Sequence, residues 1–334
     1  MFKYKAVLVT GGAGFIGSHF VKYLLKKYKG IKVVNVDVLS YCANPENVRE
    51  VARDRRYKFY KADIGDQWRM SQIMKKHRID CVVNFAAESN NNKALISPID
   101  FAKTNALGTA VLLEAARKNN VKRFHHISTC EVYGQLPLKS KAKFREDSPL
   151  LPRTPYNASK AAAEHIVRSY YHTFGLPITI SNCGNNYGPN QFPENIIPVF
   201  AIKALLDQHL PMFASKHNKR EWIYVTDHCR AIDLILQKGK AGETYNVGTG
   251  LEKSIIEIAD EILKILKKPK SLKKVVPDRA GHDTRYLLDS TKIKRELGWK
   301  PKMAWQKGIR KTIEWYHDNP KWWKPLLEKS YAWK

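Results

Sequence analysis

Thr10-Gly-Gly-Ala-Gly-Phe-Ile-Gly17 is the segment that most narrows the folds open to this chain. It joins an apolar, strand-like run, Ala6–Thr10, to an amphipathic helical pattern over 15–28. Gly11, Gly14 and Gly17 follow a G-x-x-G-x-x-G spacing. Glycine allows a tight turn, close backbone approach to a phosphate and close packing of helix on strand. A strand, a glycine turn and a helix N-terminus together make a pyrophosphate cradle.

The pattern continues as alternation. Lys32–Asp37, 58–63, 81–86, 123–128 and Ile178–Cys183 read as further strands, and 66–76, 104–119 and 156–174 as helices. Such alternation predicts an α/β fold with a doubly wound parallel (Rossmann) sheet. After about Gly188 the chain turns to Pro-rich loops, short helices and short strands. We therefore expect a dinucleotide-binding domain over 1–187, with a returning segment near 222–247. Residues 188–334 should form mainly a smaller substrate-binding α/β cap over the C-terminal edge of the sheet.

Asp37 ends the second strand about twenty residues after the glycines. A carboxylate there can bind both hydroxyls of an adenosine ribose and repels a 2′-phosphate, which predicts NAD rather than NADP. Asp63-Ile64 follows the third strand. Asp63 reads equally as an adenine contact or as a helix N-cap.

Tyr156 and Lys160 stand four residues apart, on one face of a helix. A nearby ammonium and a nicotinamide cation would both favour tyrosinate. Tyr156 could then take a proton from a hydroxyl while hydride leaves the same carbon. Thr129, at a strand end, can share that hydrogen bond. His125-His126 lies mid-strand with one side chain per face and reads as structural, not as a metal pair.

The other class signals are mostly exclusions. The formal net charge is +27. The basic residues run along the whole chain without a long block, so we read a solvated surface and expect no nucleic-acid partner. Such a field would also suit an anionic small substrate. Five cysteines without a CxxC pair fit a reducing compartment and no zinc knuckle. With no transmembrane-length apolar run and no room for a signal peptide, a cytoplasmic location without membrane association is expected.

Over nearly its whole length the chain resembles the extended short-chain dehydrogenases/reductases, and within them the nucleotide-sugar 4,6-dehydratases of the dTDP-glucose 4,6-dehydratase family. The segments that carry the resemblance are 10–17, 41–44, 86–89, 128–134, 156–160, 182–193, 220–224, 245–248, 277–286 and 297–299. The resemblance implies NAD contacts at Gly11, Gly14, Phe15, Ile16, Gly17, Asp37, Asp63, Ile64, Ala86, Ala87, Tyr156 and Lys160. It implies catalysis by Thr129, Cys130, Glu131, Tyr156 and Lys160. It implies substrate contacts at Glu88, Asn186, Asn195, Arg220, Asn246, Arg279 and His282. It further implies a homodimer built on the 104–119 and 156–174 helices.

In the family reaction hydride passes from sugar C4 to NAD+. The C5 proton then leaves to a carboxylate, by resemblance Glu131, as the C6 hydroxyl departs, and hydride returns to C6. A 5,6-dehydratase, a UDP-glucuronate decarboxylase and a 4-epimerase share the first oxidation. A 4-epimerase needs no Glu131. A basic, NAD-binding relative that binds nucleic acid without catalysis is the non-enzyme alternative, and the intact Tyr156/Lys160 pair opposes it.

Departures from the family pattern cluster on the substrate side. The usual Ser-Thr-Asp-Glu carries Cys130 in place of Asp, the acid that protonates the leaving oxygen. A thiol could donate that proton, or Cys130 could be a small filler with Glu131 or water as donor. The usual His-Val-Asp-Arg is Asn90-Asn91-Asn92-Lys93, a usual Lys is Asn195, and a usual Gly-Asp-Gly is Ala214-Ser215-Lys216. A changed sugar, base or outcome follows as an expectation.

Overall fold

The structure is a computed structural model and describes residues 2–278 and 280–333. Its strands are β1 (Ala6–Thr10), β2 (Lys32–Asp37), β3 (Tyr57–Lys61), β4 (Cys81–Asn84), β5 (Arg123–Thr129), β6 (Ile178–Cys183), β7 (Asn185–Tyr187), β8 (Leu210–Phe213), β9 (Lys219–Tyr224), β10 (Thr244–Val247), β11 (Glu252–Ser254) and β12 (Lys273–Val276). Seven of them form one sheet in the order β10-β6-β5-β4-β1-β2-β3, and every pairing in it is parallel.

Burial explains the strand sequences. In β1, β4, β5 and β6 every residue is buried. A sheet covered on both faces selects continuous apolar runs instead of alternation. One face packs Met70, Ile73, Leu112, Leu113 and Val167 against Leu8, Val82 and Ile180. The other packs Phe20, Leu24, Cys229, Ile232 and Leu236 against Val7, Val9 and Val83. The helix that brings Cys229 and Ile232, Val225–Lys238, and the strand β10 return from the second half of the chain to this sheet. Most remaining C-terminal elements surround a separate core of Ile197, Phe200, Trp222, Ile258, Ile309 and Tyr316, while Ile293, Leu297 and Trp299 pack with Tyr245 and Val247 of β10. Sheets β11-β9-β7 and β12-β8 frame the separate core.

The strand order places β1 between β2 and β4. Connections leave β1 toward opposite sides, so a crevice opens at the carboxyl ends of β1 and β4. Several segments differ from the sequence reading. β3 ends at Lys61 and β4 at Asn84, two residues early in each case, because the chain then lines the crevice instead of the sheet. The helix expected over 104–119 opens with a π-helical turn, Ala102–Leu107, before regular helix at Gly108. Asn90–Lys93, read as loop, is instead a cap and first turn: the Asn90 side chain accepts the Lys93 amide and helix Asn91–Ile96 follows.

Candidate active site

The crevice gathers side chains from both halves of the chain. Gly11 adopts φ +66°, and a Cβ there would lie 2.8 Å from the Ala86 amide nitrogen. A Cβ on Gly17 would lie 2.3 Å from the Gly11 carbonyl oxygen. Both positions admit only glycine, for different reasons: left-handed backbone in one, helix-on-turn packing in the other. Gly14 caps helix Phe15–Lys27 without a side-chain bond, and Gly14, Phe15, Ile16 and Gly17 line the crevice. The first-turn amides are therefore available to an anion.

Asp37 is held where β2 ends. Its two oxygens accept the amides of Ala13 at 2.9 Å and Leu39 at 2.8 Å. Burial pushes its carboxyl above the ordinary range, and these amides oppose that shift. Asp63, Ile64, Ala86 and Ala87 line the same crevice. The N-cap alternative for Asp63 is corrected: Asp66 caps helix Gln67–His77 through the Arg69 amide, while Asp63 accepts the Gly65 amide in a tight turn. A cradle closed to Cβ atoms, followed by a buried acid, fits a dinucleotide with a free ribose 2′-hydroxyl.

The catalytic candidates meet at the end of β5. Tyr156 opens helix Pro155–Phe174, whose N-cap Thr154 accepts the Asn157 amide. One turn on, Lys160 Nζ donates to the Ile127 carbonyl at 2.6 Å and lies 3.4 Å from His126 Nε2. His126 is thus more than a core filler; it borders the lysine. Burial holds the Lys160 ammonium down to about 8. Thr129 hydrogen-bonds the Tyr156 side chain. The expectation that Lys160 lowers the phenol is not met by the chain's own groups: burial raises Tyr156 first, then Glu131, Cys183 and Cys130 raise it further. A cationic ring in the crevice would act in the opposite sense.

Thr129, Glu131, Tyr156 and Lys160 all line the crevice. Cys130 does not. It is 1% exposed and packs with Val132, Tyr133, Ala161, Tyr286 and Leu288. Burial, then Glu131, pushes its thiol well above the usual range. The filler and proton-donor readings of Cys130 are separated by the rate of Cys130→Ala.

The substrate candidates divide. Glu88, Asn186 and Asn195 line the crevice. Glu88 pairs with Lys93 at 2.8 Å. Asn186 bonds His228 Nδ1 through Oδ1 at 3.0 Å. Arg220 and His282 lie elsewhere, in the cap. Arg220 donates to the carbonyls of Lys219, Asp283 and Thr284 and lies over the Tyr286 ring. His282 approaches Ser215 Oγ at 2.9 Å. Asn246 is not brought to the crevice: it is fully buried, accepting from Tyr133 and donating to the Phe144 carbonyl. Arg279 lies outside the described residues.

The structure adds residues that spacing did not single out. Glu194 is half-buried in the crevice wall, accepting from Tyr41 at 2.8 Å and Asn90 at 2.7 Å. Burial raises its carboxyl to about 7. Asn91 donates to Glu131. Their traces in the sequence were the Gln191-Phe-Pro-Glu194 run and the unusual asparagines at 90–92. Among the described residues no group of His, Cys, Asp and Glu is placed to hold a metal ion.

A parallel sheet with a glycine cradle, a buried ribose acid and a Tyr/Lys pair on one helix defines an extended short-chain dehydrogenase/reductase. The family model for GDP-mannose 4,6 dehydratase matches residues 8–312. A dTDP-glucose 4,6-dehydratase of Streptomyces niveus is 44% identical over 98% of this chain and 97% of its own. The dTDP-glucose 4,6-dehydratase of Streptomyces venezuelae, solved with NAD and TYD bound, superposes with a TM-score of 0.93 at 42% identity, covering 96% of this chain and 99% of that one. A UDP-glucose 4-epimerase of Thermotoga maritima, solved with UDP-glucose, gives 0.87 at 32% identity over 94% of this chain and 99% of that one. The chain belongs to the NAD-dependent nucleotide-sugar 4,6-dehydratase family.

Proposed function

We propose that this chain converts a dTDP- or UDP-linked glucose-type sugar to its 4-keto-6-deoxy derivative. The observation that carries the reading is the meeting of Tyr156, Thr129 and Glu131 in a crevice that also holds the glycine cradle. NAD bound in that cradle supplies a hydride acceptor that is restored at the end of the cycle. Tyr156, sharing a hydrogen bond with Thr129, takes the C4 hydroxyl proton. The resulting 4-ketone acidifies C5–H. Glu131 takes that proton, C6–O breaks, and Glu131 or a water hands a proton to the departing oxygen, which leaves as water. A proton returned to C5 and hydride returned to C6 complete the product. The sum is loss of one water.

Glu131 is also the feature that separates this reading from 4-epimerisation, which needs no such base. The test is incubation with a panel of nucleotide sugars, reading loss of one water by mass and the product by proton NMR. A 6-methyl doublet beside a 4-ketone supports the reading. A 5,6-alkene with C4 intact would move the chain to the 5,6-dehydratases.

We also propose a homodimer in the cytoplasm. Ala158, Ala162, His165 and Ser169 are exposed at helical spacing on Pro155–Phe174, and Leu107 is 60% exposed on the neighbouring helix. Small and apolar groups on two adjacent helices suit a four-helix contact with a second copy. Sedimentation at micromolar concentration tests it, and a monomer would contradict it. The five unpaired cysteines support a reducing compartment. No helix among the described residues is long and apolar enough to cross a membrane.

A further inference from the structure

Asn91 stands where the family carries a valine, and it makes two polar contacts that valine cannot. Its Nδ2 donates to Glu131 Oε2 at 3.0 Å. Its Oδ1 accepts from Thr154 Oγ1 at 2.8 Å. Thr154 is the N-cap of the Tyr156 helix, and its oxygen accepts the Asn157 amide at 3.2 Å.

The hydroxyl fixes the amide's orientation. Thr154 Oγ1 accepts the Asn157 amide and donates its own proton to Asn91 Oδ1; the opposite orientation would set an amide oxygen against a carboxylate. That leaves the Asn91 NH₂ facing Glu131, where an ionised carboxylate can only accept. Each donor finds an acceptor, and the chain of bonds runs one way: Thr154 to Asn91 to Glu131.

The backbone supports the same arrangement. Asn91 is the first residue of helix Asn91–Ile96, and Asn90 caps that helix through the Lys93 amide. Asn90 also donates to another carboxylate of the crevice, Glu194. Two adjacent asparagines thus each hold one carboxylate.

We propose that Asn91 is a positioning residue for Glu131, tying the carboxylate to the N-cap of the helix that carries Tyr156. The inference rests on the dehydratase reading above. Asn91 fixes one carboxylate oxygen, and so the angle at which Glu131 meets the C5 proton. It links the proton acceptor of the second step to the helix that carries the proton acceptor of the first. In this chain the neighbouring position 130 holds a buried thiol in place of an acid, so Glu131 is the only carboxylate the 129–131 turn offers. Its orientation then governs the elimination step.

The experiment compares Asn91→Val and Asn91→Asp with the unaltered protein, loaded with NAD, in single turnovers on dTDP-glucose and UDP-glucose. NADH absorbance reports C4 oxidation, and deuterium uptake at C5 from heavy water reports the Glu131 step. A hydrogen bond to a carboxylate is worth roughly tenfold to a hundredfold in rate. Asn91→Val should oxidise C4 at the normal rate, accumulate NADH, and slow C5 exchange by about that factor. Asn91→Asp keeps the size and the acceptor toward Thr154 but turns a carboxylate on Glu131, so it should be slower than Asn91→Val at the same step. Normal C5 exchange in Asn91→Asp would overturn the proposal. Equal slowing of oxidation and exchange in both variants would do so too, by showing a general structural defect. If the unaltered protein oxidises neither sugar, the dehydratase reading fails, and this inference with it.

Discussion

Lys160 Nζ donates to the Ile127 carbonyl oxygen at 2.6 Å, pinning the Tyr156 helix to the C-terminal end of β5. Thr129 and Glu131 follow that carbonyl within four residues, and Tyr156 lies one helical turn before the lysine. The bond therefore sets the distance between the two walls that carry the chemistry. The Ser128 hydroxyl reinforces it by donating to buried Glu164 at 2.6 Å, one turn further along the helix.

The lysine's burial has a measurable consequence. Its folded value of about 8 lies below the 10.5 of a free lysine. Between the two the unfolded chain binds more protons, so stability rises with pH through that window. The destabilising term is fully present below pH 8 and is relieved as pH climbs toward the unfolded value, by on the order of 3 kcal/mol. Lys160→Met should be inactive yet lack this rise. The difference in melting temperature between the two proteins, followed from pH 7 to pH 10.5, checks it. An unchanged difference across the window would refute it.

Asp37 should decide the cofactor. With both oxygens fixed by main-chain amides, the carboxylate is in place before any ligand arrives, and a 2′-phosphate would meet a buried negative charge. We expect NAD to bind at least tenfold more tightly than NADP, one tenfold step corresponding to about 1.4 kcal/mol. Asp37→Ala should narrow the ratio mainly by weakening NAD. Calorimetric titration of both cofactors is the measurement, and equal affinities for the unaltered protein would contradict the role.

Cys130 should matter to packing more than to rate. Its thiol lies among apolar side chains behind the crevice wall. Cys130→Ala should cost about 1 kcal/mol of stability and leave the rate of elimination within a few-fold. Cys130→Asp would bury a carboxyl and should lower the melting temperature more than Cys130→Ala does. General acid help is worth roughly 10²–10⁴ in rate. A loss of that size in Cys130→Ala, with C4 oxidation spared, would make the thiol the proton donor after all.

Much of this architecture could be read before any coordinates. The apolar runs 6–10, 32–37 and 178–183 become β1, β2 and β6 without a shift of boundary, because strands buried on both faces leave no ambiguity of period. The glycines and Asp37 were legible because a turn closed to Cβ atoms and a strand-end acid are local requirements. Asn246 was misjudged because burial depends on partners a hundred residues away, Tyr133 and Phe144. Asp63 lost its cap role to Asp66, a choice between two acids three residues apart that only backbone geometry makes. Asn91 and Glu194 were opaque for a related reason: each acts through a contact across 40 residues or more, from Asn91 to Glu131 and from Tyr41 and Asn90 to Glu194. No periodicity encodes such pairs.

The account's central claim is that Tyr156 and Glu131 act at different steps on one sugar. Single-turnover absorbance with NAD-loaded protein and dTDP-glucose reads both steps at once. Tyr156→Phe should form no NADH, and Glu131→Gln should form NADH that persists, with no release of water. The same absence of NADH in both variants, or normal product from Glu131→Gln, would contradict it.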